Sequence, residues 1–563
     1  MKRGFGHGPL RIAIALLSGF VCPVTLGQDA DTTRVLESIP AKFPLAIVFV
    51  DAATLDASVA GFSKRTGTEF ADEGLLADLK RQLPVLEWMD LSHPVGLAYA
   101  SLDAGTQPIV YARVPDFRAK VKTLEEATQE EGVWRLTFDD LGVYYARVVG
   151  DYVIASAFNE NLTPVAGGKS LADAMKHRAD IWRGRDVVVH VNFEPLRAMV
   201  AAQINKVAAM APMIAMLAAQ QGGDPASLIT PLTATIDATK RFVAQLDQLD
   251  LALAVSENAV SVTLWGSFKE GSIRKYLAGV KPSDHAPFAG LREQPYAVAV
   301  DYGFPGDDSP FFEFLFDKLG AAPPPDPSAQ AQGDQADAQA QARAERVTRD
   351  LYKSLHGADL LMAVSPDGVR LAGNYFGRDP KAILELATET LSIPNVTLAR
   401  MKAGTTFESL GTRTIGGASV NEFAVIPDTS NMYGAAFVSM MGKRPRIAMS
   451  LTDVGVGWCA GSDAYVTQHF AGGKGKPLRA ARHVAKALAA LPPKRNITLL
   501  LDPAAMLTLS ARLSGTPPMD PVLPGPPIAV SLSLSAKPVR LDLRVPARAI
   551  ARYHEMLSPA DPL

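Results

Sequence analysis

Few residues in this chain stand at the spacings that chemistry requires. The nearest match to a nucleotide site is Thr163-Pro-Val-Ala-Gly-Gly-Lys-Ser170, one residue short of the loop GxxxxGK[ST]. In that loop backbone amides cradle phosphates, the lysine meets their charge and the hydroxyl meets magnesium. Here Thr163 stands where the first glycine belongs. A second copy, Ala471-Gly-Gly-Lys474, keeps the glycines and lacks the hydroxyl, so the pattern reads as a glycine turn leading into a helix. No two of the nine histidines are four residues apart and there is no His-Glu-x-x-His, which removes the helical zinc-protease arrangement. His190 sits inside the apolar run Val187–Val191 and reads as a structural histidine. Ser272-Ile-Arg-Lys275 has a Ser-x-x-Lys spacing without its companion motifs. The acid pairs Asp139-Asp140 and Asp307-Asp308 lie in turn-like contexts. Two cysteines, Cys22 and Cys459, make neither a disulfide scaffold nor a four-cysteine metal site. No catalytic residue, metal ligand or cofactor is assigned from the sequence.

Several elements must position whatever these residues do. The chain is 563 residues long, 48% hydrophobic and 20% charged, so it can bury a sizeable core. Its net charge of −2 gives no basic excess for nucleic acid. Lys2, Arg3 and Arg11 precede an apolar run from Ile12 to Val21, then Pro23 and the small-residue site Thr25-Leu26-Gly27. This is the three-part pattern of a secretory signal peptide, residues 1–27, with cleavage expected after Gly27. Val21 before Cys22 argues against a lipid-modified cysteine, and no transmembrane span is expected after cleavage. Cys459, within Gly455-Val-Gly-Trp-Cys459, reads as a buried thiol in a strand.

The chain repeats itself. Hairpins followed by helices begin near Val95, Leu251, Leu360 and Ala529. Apolar strands ending in Asx recur at Ala46–Asp51, Val187–Asn192, Ala297–Asp301 and Ile497–Asp502, and each terminal Asx reads as a helix cap. Together with the two Ala-Gly-Gly-Lys copies, these define two tandem homologous halves, 40–285 and 290–563. The fold class expected is α+β: mainly antiparallel sheets with helices packed on one side, joined by a flexible Pro/Ala/Gln-rich loop at 321–344 that is disordered or partly helical. The first half carries an extra helical hairpin at 196–248, whose Met199, Met210, Met213 and Met216 give an adaptable apolar face. Met210, Met213 and Met216 are the candidate contacts for an apolar partner or lipid. Arg479, Arg482 and Lys486, with Lys474, Lys476, Lys494 and Arg495 nearby, are the candidate contacts for an anionic surface.

Phe43-Pro-Leu-Ala-Ile-Val-Phe-Val-Asp51 and Gly142-Val-Tyr-Tyr-Ala-Arg-Val-Val-Gly-Asp151-Tyr-Val-Ile-Ala resemble, at the level of pattern, uncharacterised exported bacterial proteins with tandem α+β units. The resemblance brings no activity and no site residues. The leading reading is a non-enzymatic envelope protein that binds or scaffolds, with another envelope protein, lipid or a second copy as partner. The rival is an extracytoplasmic hydrolase whose site is assembled from distant residues. Residues 1–40 fused to a reporter active only outside the cytoplasm should export it, and the native chain should begin near Gln28 by mass spectrometry. A native chain that keeps Met1, or begins at a lipid-modified Cys22, would refute the signal.

Overall fold

The computed structural model describes residues 29–68, 87–102, 106–124, 126–138, 142–162, 169–175, 184–220, 233, 236–237, 239–283, 285–303, 335–365, 368–393, 405–427, 429, 432–472, 475–513, 525–535 and 538–557. The expected signal segment 1–27 lies outside them. The chain divides into two compact units after Gly271. The boundary expected between 285 and 290 is therefore late, and the helix Ser272–Ala278 belongs to the second unit. No described helix is long and apolar enough to cross a membrane.

The first unit contains strands β1 (Leu45–Phe49), β2 (Val95–Tyr99), β3 (Ile109–Arg113), β4 (Ala127–Glu130), β5 (Val133–Phe138), β6 (Gly142–Val149), β7 (Tyr152–Ser156), β8 (Val187–Asn192), β9 (Leu246–Ser256) and β10 (Ala259–Phe268). They pair in the order β4-β5-β6-β7-β3-β2-β1-β8-β9-β10, antiparallel throughout. The second unit contains β11 (Val298–Gly303), β12 (Leu355–Ser365), β13 (Gly368–Gly377), β14 (Thr405–Ile415), β15 (Ala418–Pro427), β16 (Arg446–Thr452), β17 (Gly455–Gly461), β18 (Ile497–Leu501), β19 (Ile528–Ser533) and β20 (Val539–Pro546). Their order is β14-β15-β16-β17-β13-β12-β11-β18-β19-β20, again antiparallel. The architecture is mixed α+β built on extended antiparallel sheet.

Helices cover both faces of each sheet, not one. The reason is visible in β1, whose five residues are all buried. Successive side chains on a strand point to opposite faces, so a strand that is apolar throughout needs cover on both. Ile47, Phe49 and Leu97 pack with Leu55 and Val59 of the helix Ala52–Thr66. Ala46, Val48 and Ala98 pack with Val35 and Leu36 of the helix Asp29–Ser38. In the second unit Ala299, Leu361 and Ala372 pack with Val466 of Asp463–Phe470 and Val484 of Arg482–Ala489. Met449 and Val456, on the opposite face, pack with Leu351 of Gln335–Ser354 and Ile383 of Pro380–Ser392.

Two further expectations need correction. The loop expected at 321–344 ends too late, because Gln335–Ser354 is a helix in which Ala344 and Val347 are buried with Ile393. Ala, Gln and Arg are strong helix formers, so the partly helical alternative holds from Gln335 onward. Residues 304–334 lie outside the described set. The helical insertion ends at residue 245, because β9 begins at Leu246. Its first helix, Phe193–Gln220, runs through Pro212. The corresponding β18–β19 connection carries the shorter helix Pro503–Leu513.

Cys459 is fully buried in β17, and burial, with a smaller contribution from the Glu422 charge, pushes its thiol pKa up. In a chain beginning at Gln28, where it is the sole thiol, iodoacetamide should label it at least about tenfold more slowly than in the urea-unfolded chain. Equal rates would show that β17 is open to solvent.

Candidate functional site

Three of the four expected helix caps are caps. Asp51 accepts from Thr54 N at 2.8 Å, Asn192 from Glu194 N at 3.0 Å and Asp502 from Ala504 N at 3.1 Å. Asp301 is not one. Strand β11 continues past it to Gly303, so its carboxylate projects from the middle of a sheet where no helix begins.

In register, Asp301 faces Asp359 of β12 on one side and Thr498 of β18 on the other. Asp359 in turn faces Asn374 of β13, and Thr498 faces Ser531 of β19. Residues directly opposite one another share a face of the sheet. Asn374, Asp359, Asp301, Thr498 and Ser531 therefore form one polar row across five strands, and none is more than 4% exposed. Two residues along each strand on the same face runs the apolar row Ala372, Leu361, Ala299, Leu500 and Ala529, part of the core. The first unit shows that the fold does not require the polar row. Aligned on the pairs Phe49–Val187 and Tyr302–Ile497, Asp301 corresponds to Val48. The row through Val48 is Tyr111, Gly96, Val48, Val188 and Ala252.

A segment just before β11 lies over this row. Gly303 and Gly357 face one another in register. A Cβ on Gly303 would collide with the Ser283 side chain, and one on Gly357 with the His285 ring, so the bare backbone is what lets the segment settle on the sheet. Asn496 Nδ2 donates to Lys281 O at 2.6 Å, and Ser283 N donates to Arg495 O at 3.1 Å. The His285 ring rests against Phe376 with centroids 4.5 Å apart. His285 Nε2 lies 2.7 Å from Asp301 Oδ1, and its Nδ1 lies 2.7 Å from Ser283 Oγ. A carboxylate can only accept, so Nε2 carries the hydrogen. In the neutral imidazole Nδ1 is then the acceptor, and the Ser283 hydroxyl donates to it.

Asp359 Oδ1 accepts from Asn374 Nδ2 at 2.8 Å, while Oδ2 has no partner. Burial pushes the Asp359 carboxyl up to about 7; the bond from Asn374 opposes the shift and the neighbouring Asp301 charge adds to it. Thr498 Oγ1 and Ser531 Oγ are also buried without partners. Arg495, 8% exposed, has its pKa lowered by burial, an effect the Asp301 charge partly offsets. This arrangement fixes one imidazole tautomer, presents a hydroxyl to its free nitrogen, and keeps a proton on the second carboxyl near neutrality.

The first unit buries a different polar pair on β8 and β9. His190 Nδ1 lies 2.6 Å from Asp250 Oδ1 with both residues closed to solvent, which fits the structural role read from the sequence. Asp186 is pushed up to about 7, mainly by burial.

Met210, Met213 and Met216 lie on the helix Phe193–Gln220 at 48%, 47% and 57% exposure, beside exposed Met199 and Val207. Arg479, Arg482 and Lys486 are exposed, but Arg479 belongs to the short turn Leu478–Ala480, ahead of the helix that starts at Arg482. Arg495, grouped with them in sequence, is buried beside the polar row instead, because its backbone carbonyl is tied to Ser283. Ser170 starts the helix Leu171–Met175: its N donates to Asp173 Oδ2 and its Oγ accepts from Asp173 N, each at 3.1 Å. Thr163 to Gly168, Lys474, Asp139, Asp140, Asp307 and Asp308 lie outside the described residues. Sequence reasoning missed Ser283, His285, Asp359 and Asn374. The usable signal was a carboxylate and an amide inside the otherwise apolar runs Ala358–Met362 and Leu371–Phe376.

No protein-family model matches the chain, and no curated protein matches it. Among solved structures, one titled "Structure of crystal form III of TP0453" is similar over 49% of this chain and 98% of its own, at 10% identity and a TM-score of 0.21. A likeness of that size defines neither a class of protein nor an activity.

The raised Asp359 pKa carries a sign. Between its ordinary value of 3.8 and about 7, the folded chain keeps a proton that the unfolded chain releases. Stability therefore falls as pH rises through that window. Asp359→Asn keeps an acceptor for Asn374 and removes the titration. It should leave stability at pH 4 nearly unchanged and raise it at pH 8 by on the order of 2 kcal/mol in urea unfolding. A difference from wild type that is the same at both pH values would refute this account.

Proposed function

We propose that this is an exported envelope protein, a tandem duplication of one α+β unit, that binds or scaffolds through the apolar face of the helix Phe193–Gln220. The duplication is supported by the strand order, which is the same in the two units strand for strand. Export is supported by the charge and apolar pattern of residues 1–27. The observation that carries the docking reading is the exposure of Met199, Val207, Met210, Met213 and Met216 on one helix. No charged residue occurs between Lys206 and Asp224, so this stretch has little affinity for water, and methionine adapts its shape to an apolar partner. Arg479, Arg482 and Lys486 supply a second, anionic-surface contact in the same reading.

Replacing residues 196–245 by a short Gly/Ser bridge should leave the melting temperature nearly unchanged and abolish association. Met213→Asp and Met216→Asp should do the same. Light scattering reports self-association, and flotation with anionic phospholipid vesicles reports a lipid surface. Unaltered association, with a melting temperature several degrees lower, would instead make the face part of the unit's own core.

A further inference from the structure

The second unit holds an arrangement that a docking helix has no use for. We propose that Ser283 is a nucleophile, activated by His285 and held in register by Asp301, that takes up the acyl group of a small carboxylic ester. Hydroxyl, base and orienting carboxylate are joined by two bonds of 2.7 Å each, in the order that nucleophilic catalysis requires. The tautomer is the productive one, since Nε2–H donates to Asp301 and Nδ1 is left to receive the proton of Ser283.

Asp301 is closed to water, the His285 side chain keeps 13% of its surface, and Ser283 is half-buried. The orienting charge is therefore poorly screened. Each group is fixed independently. Asp301 is fixed by pairing with Asp359 and Thr498, His285 by Phe376 and the bare Gly357, and Ser283 by the bond to Arg495 O above Gly303. The same strand order is built in the first unit with Val48 in place of the carboxylate, so this constellation is an addition to the fold.

The chemistry balances without a cofactor. Ser283 Oγ forms a bond to the acyl carbon as its proton passes to His285 Nδ1. The ester C–O bond breaks, and Nδ1 returns that proton to the departing alcohol oxygen. Water then attacks the acyl-serine, giving one proton to Nδ1 and through it to Ser283 Oγ as the acid leaves. Ester and water become acid and alcohol. An ester with a good leaving group asks least of such a site, because its alkoxide departs with little assistance.

The inference is independent of the docking reading, and removal of 196–245 should not affect it. The full chain from Gln28 is treated with a fluorophosphonate probe, and the modified serine is located by peptide mass spectrometry. Modification of Ser283 is expected, with turnover of p-nitrophenyl acetate that Ser283→Ala abolishes. His285→Ala should slow labelling at least about tenfold. Asp301→Asn should slow labelling, since the ring loses the carboxylate that fixes its Nε2–H tautomer. Because His285→Ala also removes the ring against Phe376, the urea-unfolded wild-type chain is a second control and should lose the label at Ser283. No adduct at Ser283 in the folded chain, or an adduct formed at the same rate in His285→Ala or in the unfolded chain, overturns the assignment.

Discussion

A carboxylate in the middle of a sheet governs the second unit. Asp301 is 1% exposed on a strand with paired neighbours on both sides. A buried carboxylate without partners costs several kcal/mol. Most of what surrounds it answers that cost. His285 donates to it from a segment laid over the sheet, and that segment can lie there only because Gly303 and Gly357 are bare. The neighbouring Asp359 keeps its proton to near neutrality, so two adjacent negative charges are avoided over most of the acidic range.

The two sheets show how much freedom a fixed strand order leaves. Antiparallel pairing dictates which residues become neighbours across the sheet, not their chemistry. In the first unit the row through Val48 is apolar, and the buried polar pair His190–Asp250 belongs to the next row, through Ala46. In the second unit the row through Asp301 is polar, and its neighbour through Ala299 is filled by core residues. One scaffold thus accepts a buried polar cluster in either of two adjacent rows, provided the pairing supplies partners. That is why the row can be read as chemistry added to the fold.

The units also differ in their connections. The β8–β9 connection of the first unit holds the helix Phe193–Gln220 with its exposed methionines, while the β18–β19 connection holds the shorter Pro503–Leu513. Connections tolerate such differences in length because they lie outside the pairing that fixes the core. The exposed methionines and the buried polar row therefore lie in different units.

What the sequence determined by itself is local. The hairpins, the α+β class, the repeated order of parts and the caps at Asp51, Asn192 and Asp502 depend on residues a few positions apart, so turn and cap chemistry made them legible. The composition of 335–344 left a loop and a helix both open, because helix propensity there competes with the scarcity of large apolar groups. Tertiary structure decided the rest. Asp301 has the same sequence context as three true caps, and only the pairing of β11 with β12 and β18 makes it a buried carboxylate. His285 meets Asp301 because a segment folds back over two glycines, and Asp359 joins it because β12, distant in the chain, pairs with β11, bringing its hairpin partner Asn374 with it. The cover on both faces likewise follows from which helices the connections bring back to the sheet. Register joins residues by their position across strands, and a linear chain carries no local sign of which partners that position will have.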